Sequence, residues 1–225
     1  DEKEYEIAAK WVKKNIKQGE DFYNPKELRH TAEEYKKDWE YSIKMAIIIK
    51  DIMYGNKKLA DKGYYEESLG KNALVGGFQG QRQWTDWLPN CDFAESIINT
   101  SFDWSGIKQP TPFATENDTL NGLTMMFGTL LTNKATIFAD VRTYWSNESV
   151  KRVTGKELMG KAKNGIIHLN NSGAAALDGA GEMKEKGKPA IKEWWKVTDQ
   201  DIKKTLKAVT YHPANLEYFK GGGMS

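Results

Sequence analysis

The stretch Gln109-Pro-Thr-Pro-Phe-Ala-Thr-Glu-Asn-Asp118, continued by Thr-Leu-Asn-Gly-Leu-Thr-Met-Met-Phe-Gly-Thr-Leu-Leu-Thr132, decides how this chain is read. Pro110 and Pro112 hold the backbone extended and cannot donate to a ladder, so they frame the approach to a short strand at Phe113-Ala-Thr115. Leu120, Leu123, Met126, Phe127 and Leu130 then recur at helical spacing, which predicts a helix over 119–132. Between the two lies Glu116-Asn-Asp118. A polar cluster at the carboxyl end of a strand, just before a helix, is where open α/β sheets place their ligands.

Toward the amino terminus, Tyr5, Ala8, Val12 and Ile16 predict an amphipathic helix over 4–18 that Gly19 stops. Asn24-Pro25 reads as a cap followed by proline at a first helical position, starting a long helix that Gly55-Asn56 ends. Its apolar face is Leu28, Ala32, Tyr35, Trp39, Ile43, Ala46 and Ile47, and Lys and Glu on the other side form a solvated face. Residues 56–67 read as a polar connector, and residues 68–87 as a helix with small faces, because glycines suit a strand interior poorly. Asp92 is expected to cap a short helix reaching Asn99.

Toward the carboxyl terminus, Ala135 to Trp145 and Gly165 to Leu169 read as strands. Residues 180–189 read as a charged loop, and Thr198 with Asp201 as a capped helix start. The composition shifts near residue 132, from long helical periods to strands and glycine-rich turns, so a boundary is expected between residues 1–131 and 132–225.

Composition bounds the rest. The 225 residues are 39% hydrophobic and 28% charged, as in a globular protein with a real core. Lys+Arg 33 against Asp+Glu 31 gives +2, too balanced to imply nucleic acid or an anionic membrane as partner. A single cysteine, Cys91, excludes an intramolecular disulfide framework and a CxxC zinc site. The strongest apolar run, Met45-Ala-Ile-Ile-Ile49, is far too short to span a bilayer. A reducing cytoplasm is the expected compartment. Asp1 and Gly221-Gly-Gly-Met-Ser225 do not resemble natural termini, which points to a segment of a longer polypeptide.

Walker A, GxGxxG, HExxH, GxSxG and EF-hand patterns are missing. The candidates for chemistry are therefore individual residues. Glu116 either faces a ligand or caps the next helix. Asp140 interrupts Thr136-Ile-Phe-Ala139 and Val141, and an acid there must be paired, metal-bound or turned outward; Arg142 is the obvious partner. His168 in an apolar strand reads as a satisfied core residue or a ligand, His30 and His212 as structural. Gln79-Gly-Gln-Arg82 is a binding loop or a helix with small faces, and Asn170-Asn-Ser-Gly173 a hydroxyl-binding turn or only a turn.

Taken together, Gly77-Phe-Gln-Gly-Gln-Arg82, Phe102-Asp-Trp104, Ala114-Thr-Glu-Asn-Asp118, Phe138-Ala-Asp-Val-Arg-Thr-Tyr-Trp-Ser146 and Gly165-Ile-Ile-His-Leu169 with Asn171-Ser-Gly173 resemble L-fucose isomerases, along essentially the whole chain. The resemblance implies an α/β (α+β mixed) fold: a partial, Rossmann-like middle domain over 1–131, then the start of a strand-rich carboxy-terminal domain over 132–225. It implies interconversion of L-fucose and L-fuculose, and of D-arabinose and D-ribulose, with Mn2+ as cofactor in a cytoplasmic homo-oligomer, a hexamer, with no nucleic-acid or membrane partner. By motif, Glu116 and Asp140 match the two acids that hold the metal and move protons. Gln79 and Ser172 match sugar contacts, and Tyr218 in Glu-Tyr-Phe is a further candidate contact. The family's metal-binding histidine matches none of His30, His168 and His212. The alternative is a non-catalytic sugar-binding or assembly module that keeps only the fold.

Overall fold

A computed structural model describes residues 1–19, 26–78, 91–170, 175–212 and 223–224. In chain order the elements are α1 (Glu2–Asn15), β1 (Lys17–Gln18), α2 (Ala32–Tyr54), α3 (Lys57–Ala60), α4 (Tyr65–Leu69), β2 (Gly76–Gly77), α5 (Asp92–Asn99), β3 (Phe102–Asp103), β4 (Gly106–Ile107), β5 (Phe113–Ala114) and α6 (Thr119–Thr132). There follow β6 (Asp140–Trp145), α7 (Asn147–Thr154), β7 (Ile166–Asn170), β8 (Lys184–Glu185), β9 (Lys188–Pro189), α8 (Asp199–Ala208), β10 (Thr210–His212) and β11 (Gly223–Met224). Helices and strands are mixed, as the α/β class requires. Among the described residues the strands form small sheets: β1-β10-β11 and four pairs, β2-β5, β3-β4, β6-β7 and β8-β9. Only β1-β10 and β2-β5 among these pairs run parallel.

The chain divides into two compact units. One is residues 1–138 with 173–225, the other residues 139–172. In the larger unit, α1 carries Asp1 as its cap, acids in its first turn and Lys13 and Lys14 in its last, an arrangement that complements the helix dipole. α2 starts later than Asn24-Pro25, which lie outside the described residues. Thr31 is its cap, and Thr31 with Glu34 forms a capping box that satisfies two otherwise orphaned amides. The polar connector after Gly55 contains two short helices, α3 and α4.

The helix expected over 68–87 is corrected in its described part. α4 stops at Gly70, and Gly76–Gly77 pair in parallel with Phe113–Ala114. The glycines are what permit this. A Cβ on Gly76 would sit 2.7 Å from the Phe113 ring and one on Gly77 2.8 Å from the Ala114 carbonyl. Close backbone approach outweighed the poor intrinsic strand preference of glycine.

α5 lies at the centre of the larger unit, with all eight of its residues buried. Cys91, not Asp92, occupies its cap position. Phe93 packs against Trp39 and Tyr211, with ring centroids 5.5 Å and 5.4 Å away, and Ile97 and Ile98 are buried in the same core as Ile43, Ala46 and Ile47 of α2. Carbonyls at its carboxyl end are met by Lys108, whose Nζ donates to Ile98 O (3.0 Å) and Thr100 O (2.5 Å). Burial draws the Lys108 pKa down to about 8.

In the smaller unit, β6 and β7 form an antiparallel pair with a register irregularity between Val141 and Thr143. The strand expected from Ala135 begins only at Asp140. Ala135 and Phe138 are buried outside regular structure instead. The loop expected at 180–189 contains the β8–β9 hairpin, turned by Lys186 and Gly187, both with positive φ. The Thr198–Asp201 capping box opens α8 as read from sequence.

Replacing Thr31 by Ala removes one half of the α2 capping box. It should lower the stability of the chain by about 1 kcal/mol, read as a lower urea midpoint at unchanged slope.

Candidate active site

Glu116 is positioned from both sides. Before it, Phe113–Ala114 are paired to β2, and Thr115 is buried. After it, Asp118 caps α6, its Oδ1 accepting from the Asn121 amide at 3.2 Å. Of the two readings of Glu116, that it caps the next helix is excluded, since Asp118 holds that role. Glu116 and Asn117 occupy the left-handed region, with φ 53 and 56. For a residue with a Cβ this conformation is costly, and such strain clusters where a side chain is held for function. Gly77 is part of this device: a Cβ there would lie 3.0 Å from the Asn117 Cα. The carboxylate at 116 thus projects from a turn fixed by a strand on one side and a capped helix on the other.

Asp140 begins β6, opposite Asn170 of β7, and is partly buried. Its Oδ2 lies 3.1 Å from Arg142 Nη2, so the pairing expected from sequence is present. The Arg142 side chain is 51% exposed. A pair of this kind is worth no more than about 1 kcal/mol, and so does not lock the carboxylate. A register irregularity lies close to Asp140, between Val141 and Thr143, the kind of feature that bends and twists a strand locally.

Gln79, Ser172 and Tyr218 lie outside the described residues. His168 is on β7 in register with Thr143 and is exposed, which corrects its reading as a core residue. His30 precedes α2 rather than lying on it, and its Nδ1 is 2.5 Å from Asp38 Oδ2. His212 ends β10. Among the described residues there is no group of three His, Cys, Asp or Glu side chains placed to hold a metal ion. Glu116, in the larger unit, and Asp140, in the smaller, each offer carboxylate oxygens of the kind that suit a hard divalent ion.

The sequence reading passed over Glu95, Asn99 and Thr115, which lie behind Glu116. Their signal was present: Phe93-Ala-Glu-Ser-Ile-Ile-Asn99 sets a carboxylate and an amide among apolar residues, the same anomaly that drew attention to Asp140.

By sequence, the chain belongs with a known class of sugar isomerases. Residues 1–133 match the family model for the second N-terminal domain of L-fucose isomerase. The chain therefore belongs to the L-fucose isomerase family. It is 59% identical over 228 residues to the L-fucose isomerase of Clostridium perfringens, covering 99% of this chain and 38% of that protein. It is 55% identical to that of Bacteroides thetaiotaomicron, covering all of this chain and 39% of the relative. It is 53% identical over 225 residues to that of Streptococcus pneumoniae, again covering all of this chain and 38% of the relative. The chain thus spans about two fifths of the length of these curated relatives.

If position 116 is held left-handed, the usual rank of small residues inverts there. Glu116→Gly should be more stable than Glu116→Ala by about 1 kcal/mol, compared by urea unfolding. Alanine equal to or better than glycine would show that the turn relaxes out of this conformation.

Proposed function

We propose that this chain is a segment of a metal-dependent aldose–ketose isomerase that converts L-fucose to L-fuculose and accepts D-arabinose, giving D-ribulose. The identity of 52–59% to L-fucose isomerases along the whole chain carries this reading. The turn that holds Glu116 supports it, because that strained position falls within the Ala114-Thr-Glu-Asn-Asp118 motif.

In this reading Glu116 and Asp140 are the two acids of the reaction. Isomerisation moves a proton between C1 and C2 through an ene-diol while a second proton changes place between the two oxygens. One carboxylate takes the carbon-bound proton and returns it to the neighbouring carbon, and the other moves the hydroxyl proton. Glu116 and Asp140 would also be donors to Mn2+, which when bound supplies positive charge against the negative charge that develops on the substrate oxygens. Gln79, Ser172 and Tyr218 are proposed sugar contacts, since amide and hydroxyl groups offer a polyol donors and acceptors together. The working assembly is proposed to be a cytoplasmic homo-hexamer. Among the described residues no helix is long and apolar enough to cross a membrane.

The test uses the full-length polypeptide containing this sequence, with L-fucose and Mn2+. Glu116→Gln and Asp140→Asn should each lower kcat by about 10²–10⁴-fold, the usual contribution of a positioned acid or base. Parental kcat in either variant would remove that acid from the mechanism. Residues 1–225 alone should turn over far more slowly than the full-length protein, and equal rates would require the residue roles to be reassigned.

A further inference from the structure

Among the described residues, the strand that leads to Glu116 is held by a buried helix through side chains rather than by a second sheet partner. On β5, one neighbour is β2; on the other side lies α5. Asn99 replaces a neighbouring strand at Phe113. Its Oδ1 accepts from the Phe113 amide and its Nδ2 donates to the Phe113 carbonyl, both at 2.8 Å. The same Nδ2 is 2.9 Å from the Glu95 carbonyl one turn earlier, which sets the amide's orientation. Glu95, fully buried, accepts from the Thr115 hydroxyl through Oε2 at 3.0 Å, and its Oε1 lies 3.5 Å from the Cys91 sulfur.

Residues four apart on a helix share a face and lie about 6 Å apart along the axis. Glu95 and Asn99, one turn apart on the same face, therefore meet the Thr115 hydroxyl and the Phe113 backbone as two rungs, and the residue after Thr115 is Glu116. A carboxylate buried in an apolar helix is costly unless it is hydrogen-bonded. That cost is accepted here at a residue that binds the side chain of Thr115, immediately before a strained acid.

We propose that Glu95 and Asn99 are positioning residues for Glu116: through Thr115 and Phe113 they fix where the strand ends and so aim the carboxylate of the left-handed turn. This rests on the reading of Glu116 as an acid of the isomerase. Neither residue touches the reacting atoms. Loosening the Glu95–Thr115 bond leaves the core packed but lets the turn, and with it the carboxylate, move. Displacements of about 1 Å at a reacting group can cost about 100-fold in rate.

The experiment uses the full-length polypeptide, with Mn2+ affinity measured by titration calorimetry alongside kcat and KM for L-fucose. Thr115→Val exchanges one hydroxyl for a methyl, and Glu95→Ala removes its acceptor. Each should weaken Mn2+ binding and lower kcat by about 10–100-fold, with KM changed much less. The double variant should lose no more than the worse single one, since both break the same bond. Glu95→Gln keeps an oxygen facing Thr115 and should hold Mn2+ affinity within about threefold of the parent, a rescue that loss of packing alone would not give. If Glu95→Ala does not fold, Thr115→Val and Glu95→Gln carry the comparison. Parental Mn2+ affinity and kcat in Thr115→Val, with Glu116→Gln inactive, would overturn this inference and leave the reading of Glu116 standing. Parental activity in Glu116→Gln would overturn both.

Discussion

Burial of α5 on every side is the constraint from which the arrangement of the larger unit follows. An eight-residue helix surrounded by core has no water to satisfy its polar side chains, so each must find a protein partner. Ser96 donates to the Ala175 carbonyl, Thr100 donates to Ser96 O and accepts from the Leu177 amide, and Asp178 accepts from the Ser101 amide. Asn99 and Glu95 engage residues 113–115. The segment around residue 177 and the strand before Glu116 are therefore tied to the same helix, on different faces. Aromatic contacts from Trp39 and Tyr211 close the apolar side.

This explains why short strands suffice near the site. β2 and β5 have two residues each and would be marginal as an isolated pair. The Asn99 amide supplies both hydrogen bonds that a third strand would give Phe113, and the glycines of β2 allow the close approach on the other side. The smaller unit is organised differently. Its β6–β7 pair exposes Val141, Tyr144, Ile167 and Leu169, and there Asp140 is paired with the half-exposed Arg142.

Much of this was legible in the residues. The capping box at Thr198 and the helix over 119–132 rest on local chemistry, and local chemistry determined them; the prolines marked the strand at Phe113, whose partners lie elsewhere in the chain. Glu116 and Asp140 stood out because an acid next to or within an apolar strand demands a reason. What was not legible depended on contacts distant in sequence. Gly76-Gly77 read as helix because the partner that makes glycine useful, Phe113, lies far along the chain. The long helix was started too early because the Thr31–Glu34 box was passed over in favour of a proline signal. Glu95 and Asn99 stand among apolar residues in the sequence, but only the tertiary structure shows that no face of their helix reaches water.

In the proposed function, the acid presented by this turn holds the metal of an isomerase. The most direct measurement is the anomalous scattering of Mn2+ in crystals of the full-length polypeptide. A manganese peak about 2.0–2.6 Å from carboxylate oxygens of Glu116 and Asp140, the range for hard cations on oxygen ligands, is the predicted result. A well-occupied peak bound by other residues, with the Glu116 carboxylate turned away from it, would contradict the account.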